Sequence, residues 1–424
     1  MTTDLFKGFV SLVLGSVFVR GVGFAATAIL MRVFGPSEFG TFTVGLTLAV
    51  LFALCVNPGL DDFLVREIAR APSDLDWQLG DAVLVRLPAL PLAVAAGLLA
   101  ESTAHAGGGM YLLLAVYGAG YAYLQLTCAL LRGHGRMRAQ AGLLSAQMGA
   151  IAVASSVACT VTQSIVWVAA IYAGATIIAL VCGYTLLHRI GIRPRYGWRP
   201  DSWLRLARAN LTFAVTVIGV LVLDRQALVM VGLLRDQADA GWFGSVYNLV
   251  LALANLPVAA AAVALPQLTR LAQRGIADLE RLASQLVRYT TLVSVPLAVA
   301  LYVTAPVGVP LLYGPQYQPS VTVLQVIAFG IPPVFLTVVL ISVLEAADRQ
   351  RGCAASVLQS LLVASPVVLA ATWRFGLEGA AAGYVVSHLV LATLLMRRTQ
   401  QALGWRWFTS GLGSTARRAI AERQ

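Results

Sequence analysis

Four charged residues lie within long apolar runs of the sequence, where a charge is costly and usually has a function. They are Arg20, Arg86, Asp224 and Arg225. Because an ionised side chain is unstable in apolar surroundings, each of them is expected to face a polar cavity. The guanidinium group of arginine donates two parallel hydrogen bonds to anionic oxygens and stays ionised when it is buried. The arginines therefore indicate a site that could hold an anionic group.

Three further polar residues could add hydrogen-bonding capacity to such a cavity. Asn248 and Asn255 are seven residues apart, so they share one face of a predicted helix, and Tyr247 precedes Asn248. Packing between neighbouring helices accounts for the two asparagines equally well.

Catalytic chemistry has little support. Lys7 is the only lysine, so no phosphate-binding loop of the Gly-Lys-Ser/Thr type is present, and the chain cannot act as its own ATPase. The histidines are scattered, and no pair has the spacing of metal ligands; they are His105, His134, His188 and His388. We predict that the protein is not an enzyme and needs no cofactor or metal.

Composition identifies the elements that must position these residues. Hydrophobic residues make up 58% of the 424 residues and charged residues 12%, with a mean hydropathy of +0.79, so the chain requires lipid as its solvent. At about 20 residues per span, there is room for about a dozen transmembrane helices. The sequence thus predicts an all-α polytopic membrane protein. The apolar stretches lie at about 8–31, 39–60, 79–100, 110–131, 141–161, 164–187, 209–233, 242–265, 289–312, 320–344, 354–373 and 377–396.

The 30 basic residues indicate the orientation of these helices. Most of them fall in every second loop, which is the bias expected of cytoplasmic loops, so both termini are predicted to be cytoplasmic. Because the basic residues come in small groups between apolar runs, the net charge of +11 does not indicate a nucleic-acid partner.

A faint internal repeat divides the chain into two halves. The segment 38–42 (EFGTF) is echoed by 239–243 (DAGWF), and 136–138 (RMR) is echoed by 349–351 (RQR). Six helices per half would give parallel repeats with a substrate site between them. The predicted divisions are an N-terminal six-helix lobe at 1–190, a cytoplasmic link at 191–208, a C-terminal six-helix lobe at 209–398 and a basic tail at 399–424.

The first outer turn resembles that of a known family. The run 30–40 (LMRVFGPSEFG) is similar to the first turn of Wzx-type O-antigen flippases, polysaccharide exporters of the multidrug/oligosaccharidyl-lipid/polysaccharide superfamily. Gly59-Leu60 with 64–70 (LVREIAR) resembles the family's first cytoplasmic turn, and 241–247 resembles its junction of the seventh and eighth helices. The resemblance implies a MATE-like arrangement of two lobes.

The resemblance also implies a function. Such a protein would be a flippase in the bacterial inner membrane that moves an oligosaccharide on undecaprenyl diphosphate by alternating access, for O-antigen, capsule or exopolysaccharide synthesis. Its partners would be the lipid-linked oligosaccharide and membrane lipids, with a polymerase and chain-length proteins of the pathway. Arg20 and Arg225, near the middle of the first helix of each half, would bind the diphosphate from opposite lobes. Alternatively, they would hold the lobes together, and Asp224 is expected to pair with a buried arginine.

Three other functions remain open at this point. Two are a lipid II flippase and a drug or cation exporter of the same superfamily; the exporter would need a carboxylate in its cavity, for which Asp224 is the deep candidate. The third is a polyprenol-dependent membrane glycosyltransferase using Asp61-Asp62 or Asp74-Leu75-Asp76 as metal ligands. These acids lie in a predicted cytoplasmic turn, where solvent exposure explains them more simply.

Overall fold

The fold is a bundle of long helices. The computed structural model describes residues 2–56, 80, 83–84, 86–104, 108–191 and 200–403, and over 2–20 and 200–211 it describes the helical backbone alone. The helices are α1 (Thr2–Val56), α2 (Ala89–Ala104), α3 (Met110–Gly133), α4 (Met137–Val161), α5 (Ile165–Arg189), α6 (Pro200–Leu234), α7 (Gln237–Arg274), α8 (Ile276–Tyr313), α9 (Ser320–Ala328), α10 (Ile331–Ala346) and α11 (Gln350–Leu403). One 3₁₀ turn lies at Pro315–Tyr317. The predicted all-α class is confirmed.

Two of these helices are each two helices joined at a glycine. Gly35 in α1 and Gly376 in α11 have φ angles of 72° and 62°, which a residue without a Cβ atom adopts readily. The Ser360 hydroxyl donates to the Ser387 carbonyl oxygen over 3.3 Å, so the two halves of α11 lie side by side. Thus α1 contains the first and second predicted helices, and α11 contains the eleventh and twelfth.

The described helices account for the predicted spans. Eight of them are long and apolar enough to cross a bilayer, and α9 with α10 forms a ninth span that bends by 45°. Pro332 and Pro333 lie in the first turn of α10, where the missing N–H groups of proline end the preceding helix and start a new one. The third predicted helix corresponds to α2, which is only 16 residues long in the structure.

The helices pack as two groups that meet along α1. Helices α2 to α5 contact one another or α1, and α6 to α11 contact one another. Between the groups, α1 contacts α6, α7 and α8. The largest buried apolar cluster contains residues of both groups, for example Phe42 and Phe243. We call the groups the N-lobe and the C-lobe; the residue boundaries of the predicted domains stay a prediction, because the link and the tail lie largely outside the described residues.

The repeated segments identified in the sequence contact each other across the lobe boundary. A Cβ atom on Gly40 would collide with the carbonyl oxygen of Gln237, and one on Gly241 would collide with that of Pro36. Glycine at both positions therefore lets the two backbones touch. Beside them, the Thr41 hydroxyl donates to the side-chain oxygen of Gln237 over 2.7 Å.

Further contacts between the lobes lie at the same end of the bundle. The Arg32 Nε atom donates to the Leu312 carbonyl oxygen over 2.9 Å, so the arginine satisfies a carbonyl at the end of α8. Gln316 Nε2 donates to the Met31 carbonyl oxygen over 3.2 Å. Within the C-lobe, Trp242 Nε1 donates to the Gln316 carbonyl oxygen over 2.9 Å and so holds the turn that makes this contact. The turns at Gly35, Asp236, Gly314 and Gly376 lie here, and we call this the Gly35 end of the bundle.

Candidate functional site

Arg225 lies on α6 at the boundary between the lobes. Its Nη1 atom is 3.4 Å from the hydroxyl of Thr47 on α1, and its guanidinium carbon is 5.9 Å from the ring centroid of Tyr247 on α7. The side chain is half-buried, and its buried Nε has no hydrogen-bond partner in the described structure. A guanidinium group held by one long hydrogen bond and one aromatic ring keeps donors available for an anion.

Asp224, the preceding residue, turns toward the C-lobe instead. One carboxylate oxygen lies 3.1 Å from Nε2 of His388 on α11, an ion-pair distance, although the ring is not oriented for a hydrogen bond. His388 is buried and packs on the Tyr384 ring, with 4.5 Å between centroids. Among the described side chains, the partner within ion-pair distance is this histidine. The predicted pairing of Asp224 with a buried arginine stays a prediction, because the Arg20 side chain lies outside the described residues.

Gln226 completes a run of three polar residues whose side chains point to different neighbours. Successive residues of an α-helix are rotated by about 100°, so Asp224, Arg225 and Gln226 face different surfaces. Gln226 Nε2 donates to the Ser387 hydroxyl over 3.1 Å, and the Ser365 hydroxyl donates to Gln226 Oε1 over 2.7 Å. This network bonds α6 to both halves of α11 and so fixes the direction in which Arg225 points.

The polar residues predicted on α7 have different surroundings. Tyr247 is buried, its ring lies edge-on to Tyr384 with 6.3 Å between centroids, and its hydroxyl has no hydrogen-bond partner in the described structure. Asn248 is half-buried. Asn255 Nδ2 donates to the Leu251 carbonyl oxygen of its own helix over 2.8 Å, so one amide proton is already used. Of these three residues, the structure brings only Tyr247 into contact with Arg225.

The other predicted cavity residues are not joined to this cluster. The Arg20 side chain lies outside the described residues, so its predicted position opposite Arg225 stays a prediction. Arg86 is completely buried just before α2 and already has an interaction partner. Asp61, Asp62, Asp74 and Asp76 also lie outside the described residues. In the part of the chain that is described, no group of three or more histidine, cysteine or acidic residues could hold a metal ion.

Sequence reasoning missed six members of the cluster, which are Thr47, Gln226, Ser365, Tyr384, Ser387 and His388. His388 had a usable signal, because it lies deep within the twelfth apolar run and the rule that selected Asp224 applies to it as well. Thr47 and Ser365 had none, since threonines and serines are common in membrane helices, where they often bond to their own backbone.

Comparison with known proteins identifies the family. The sequence model of the family described as "Polysaccharide biosynthesis protein" matches residues 5–272. The chain belongs to this family. A search of curated proteins finds no match.

Solved structures share the fold of this polysaccharide biosynthesis protein. A lipid II flippase MurJ in an inward closed conformation matches with a TM-score of 0.74 and 12% identity, over 93% of this chain and 89% of that chain. An inward-facing multidrug MATE transporter of the MOP superfamily matches with a TM-score of 0.63 and 13% identity, over 93% of this chain and 94% of that chain. A Vibrio cholerae MATE transporter matches with a TM-score of 0.57 and 12% identity, over 95% of this chain and 100% of that chain. The chain therefore shares the fold of MurJ and the MATE transporters, as the predicted MATE-like arrangement required, and it is a multi-pass membrane protein.

Proposed function

We propose that this protein is a flippase that carries an undecaprenyl-diphosphate-linked oligosaccharide across the bacterial inner membrane by alternating access. The observation that carries the proposal is Arg225, a half-buried guanidinium group at the lobe boundary with unused donors. The family match, which names polysaccharide biosynthesis, supports a sugar-containing cargo over a drug.

The chemistry of the cargo suits this cluster. A diphosphate offers several anionic oxygens, and an arginine fork can donate two parallel hydrogen bonds to such a group. Arg20, predicted near the middle of the first helix, is proposed as the second cationic partner, and the Tyr247 ring contacts Arg225. If both charges of the diphosphate cross an inside-negative potential of 100 mV, their outward movement releases roughly 4 to 5 kcal/mol. That free energy could drive export without ATP.

The positions of the lobe contacts support alternating access. The close glycine approaches and the hydrogen bonds of Arg32 and Gln316 lie at the Gly35 end, which the arginine pattern places on the periplasmic side. A protein whose lobes are in contact at the periplasmic side would load its cargo from the cytoplasm and release it after these contacts separate. Both termini are cytoplasmic in this proposal, and a polymerase and chain-length proteins would receive the exported product.

A drug or cation exporter receives less support from the same cluster. Such a transporter would use a carboxylate that is free to bind a cation in the cavity. Asp224 instead lies 3.1 Å from the nitrogen of His388, on the C-lobe side of α6. The positive group, Arg225, is the one at the lobe boundary, and it favours an anionic cargo.

Complementation of a strain that lacks its oligosaccharide flippase tests the proposal. Arg225→Ala should abolish polysaccharide export, and Arg225→Lys should leave it impaired, because lysine cannot form the planar two-bond contact. The matched control is Arg374→Ala, which removes an exposed arginine whose described contact is the ring of Phe375. Membrane levels are measured by blotting. Normal export by a well-expressed Arg225→Ala protein would reject the role of this residue.

A further inference from the structure

A polar cavity lies in the C-lobe, and Arg225 is not among the residues that line it. Because α11 folds back at Gly376, its first and last residues lie together at the end of the lobe opposite the Gly35 end. The cavity has a volume of about 650 Å³. It lies between the two ends of α11, the turn that precedes α11, and α6 at Thr212. The residues that matter for its chemistry are Thr212, Asp348, Arg349, Gln350, Arg351, Arg398 and Gln401.

The described residues that line this cavity carry a net positive charge. Arg349, Arg351 and Arg398 supply three positive charges and Asp348 one negative charge, which leaves a net charge of +2 (3 − 1). None of the three arginines has an ion-pair or hydrogen-bond partner for its side chain among the described residues. The Arg398 side chain is half-buried, and its Cδ atom would lie 4.0 Å from a Cβ atom on Gly352. Its stem therefore rests on the first turn of α11, and all three arginines line the same cavity.

The backbone adds to the positive potential. Helix α11 begins at Gln350, and the amides of Gly352 and Cys353 are already used in bonds to the Arg349 carbonyl oxygen. The contribution of this terminus is therefore the positive end of the helix dipole, which favours an anion. With three arginines beside the helix terminus, the fitting group is a phosphate, which accepts paired hydrogen bonds from guanidinium groups.

We propose that this cavity binds a phosphate group, as a site separate from the Arg225 cluster. The phosphate would come either from the headgroup of an anionic phospholipid or from a soluble phosphate compound. Bound there, it would connect α6 at Thr212 with both ends of α11. These are the same two helices that Gln226, Ser365 and Ser387 connect nearer the Gly35 end. The bound phosphate would therefore stabilise the C-lobe whatever cargo the protein carries.

Thermal unfolding of the purified full-length protein in nanodiscs tests the site. In discs of phosphatidylcholine, pyrophosphate is titrated as the soluble probe; in a second series, phosphatidylglycerol replaces part of the phosphatidylcholine and no pyrophosphate is added. One of the two probes should raise the melting temperature in a saturable way. In the variant Arg349→Gln/Arg351→Gln/Arg398→Gln, the probe concentration that gives half of the maximal shift in melting temperature should be at least tenfold higher.

The N-lobe provides a matched control. Arg136 and Arg138 occupy the equivalent turn after α3 and are exposed, so Arg136→Gln/Arg138→Gln removes similar charges at the other lobe. This control should keep the wild-type response. A response to pyrophosphate identifies a soluble phosphate, and a response to phosphatidylglycerol alone identifies a lipid headgroup. If the triple variant does not fold, the single variant Arg398→Gln replaces it with the same expectation. Equal responses of the cavity and control variants, or no response of the wild type to either probe, would overturn the proposal.

Discussion

Gly241→Ala should open the lobes at the Gly35 end. A Cβ atom at this position would overlap the carbonyl oxygen of Pro36, and it would lie 2.6 Å from the carbonyl carbon and 2.9 Å from the Cα atom of that residue. All three are backbone atoms, so no side chain can rotate away to make room. The methyl group can be accommodated only if α7 moves away from α1.

The size of the effect follows from the clash. An extra methyl group in a close-packed contact costs typically 1 to 3 kcal/mol. Alanine also has a higher helix propensity than glycine, but α7 is helical in both the open and the closed conformation. This gain therefore stabilises both conformations equally and does not change the ratio between them. The ratio of the open to the closed conformation at the Gly35 end should therefore rise by about 5- to 150-fold, at about 1.4 kcal/mol per factor of ten.

Labelling of an engineered cysteine measures this ratio. Thr41 is buried beside Gln237 at the contact, so Thr41→Cys, in a background without the five natural cysteines, reports opening through its reaction with a membrane-impermeant maleimide. Adding Gly241→Ala should increase the labelling rate. The matched control is Gly149→Ala on α4, where a Cβ atom would meet nothing within 4 Å. Equal labelling rates with Gly241→Ala and with Gly149→Ala would refute the reasoning.

Two further predictions concern the contact between Asp224 and His388 and the topology. Asp224→Asn and His388→Gln should each lower the free energy of unfolding by about 1 to 3 kcal/mol, seen as a lower melting temperature in detergent, because the remaining partner is left without its counterpart. The double variant should lose less than the sum of the two single losses. Strictly additive losses would show that the two side chains are not coupled. Reporter fusions after Arg138, Arg208, Arg288 and Arg351 should report cytoplasm, and fusions near Gly108 and Pro315 should report periplasm; one inverted result within either half would show that the helix count is wrong.

The general fold could be predicted from the sequence because its signals are local. Runs of about 20 apolar residues define the helices, and Gly35-Pro36 marks the first turn through backbone preferences that need no partner. The regular alternation of arginine-rich loops also predicts an orientation, which stays a prediction. The bend between α9 and α10 also has a local cause, in Pro332 and Pro333.

The arrangement of the site could be predicted only in part. Depth in an apolar run selected Asp224 and Arg225, but it does not say which neighbour each one faces. That depends on the rotation of α6 against α11, which is set by distant contacts such as Gln226 with Ser365 and Ser387. For the same reason the sequence identified Gly40 and Gly241 as equivalent positions of a repeat, but it did not show that they contact each other.

Transport by the purified protein is the most direct test of the proposed flippase activity. The protein is reconstituted into vesicles that contain a fluorescent oligosaccharide on undecaprenyl diphosphate, and movement between leaflets is followed by its protection from a membrane-impermeant quencher. The fluorescent lipid-linked oligosaccharide should move rapidly between leaflets with the wild-type protein and with Arg374→Ala. With Arg225→Ala, the rate should be at least tenfold slower. No movement with the wild type, or an unchanged rate with Arg225→Ala, would contradict it.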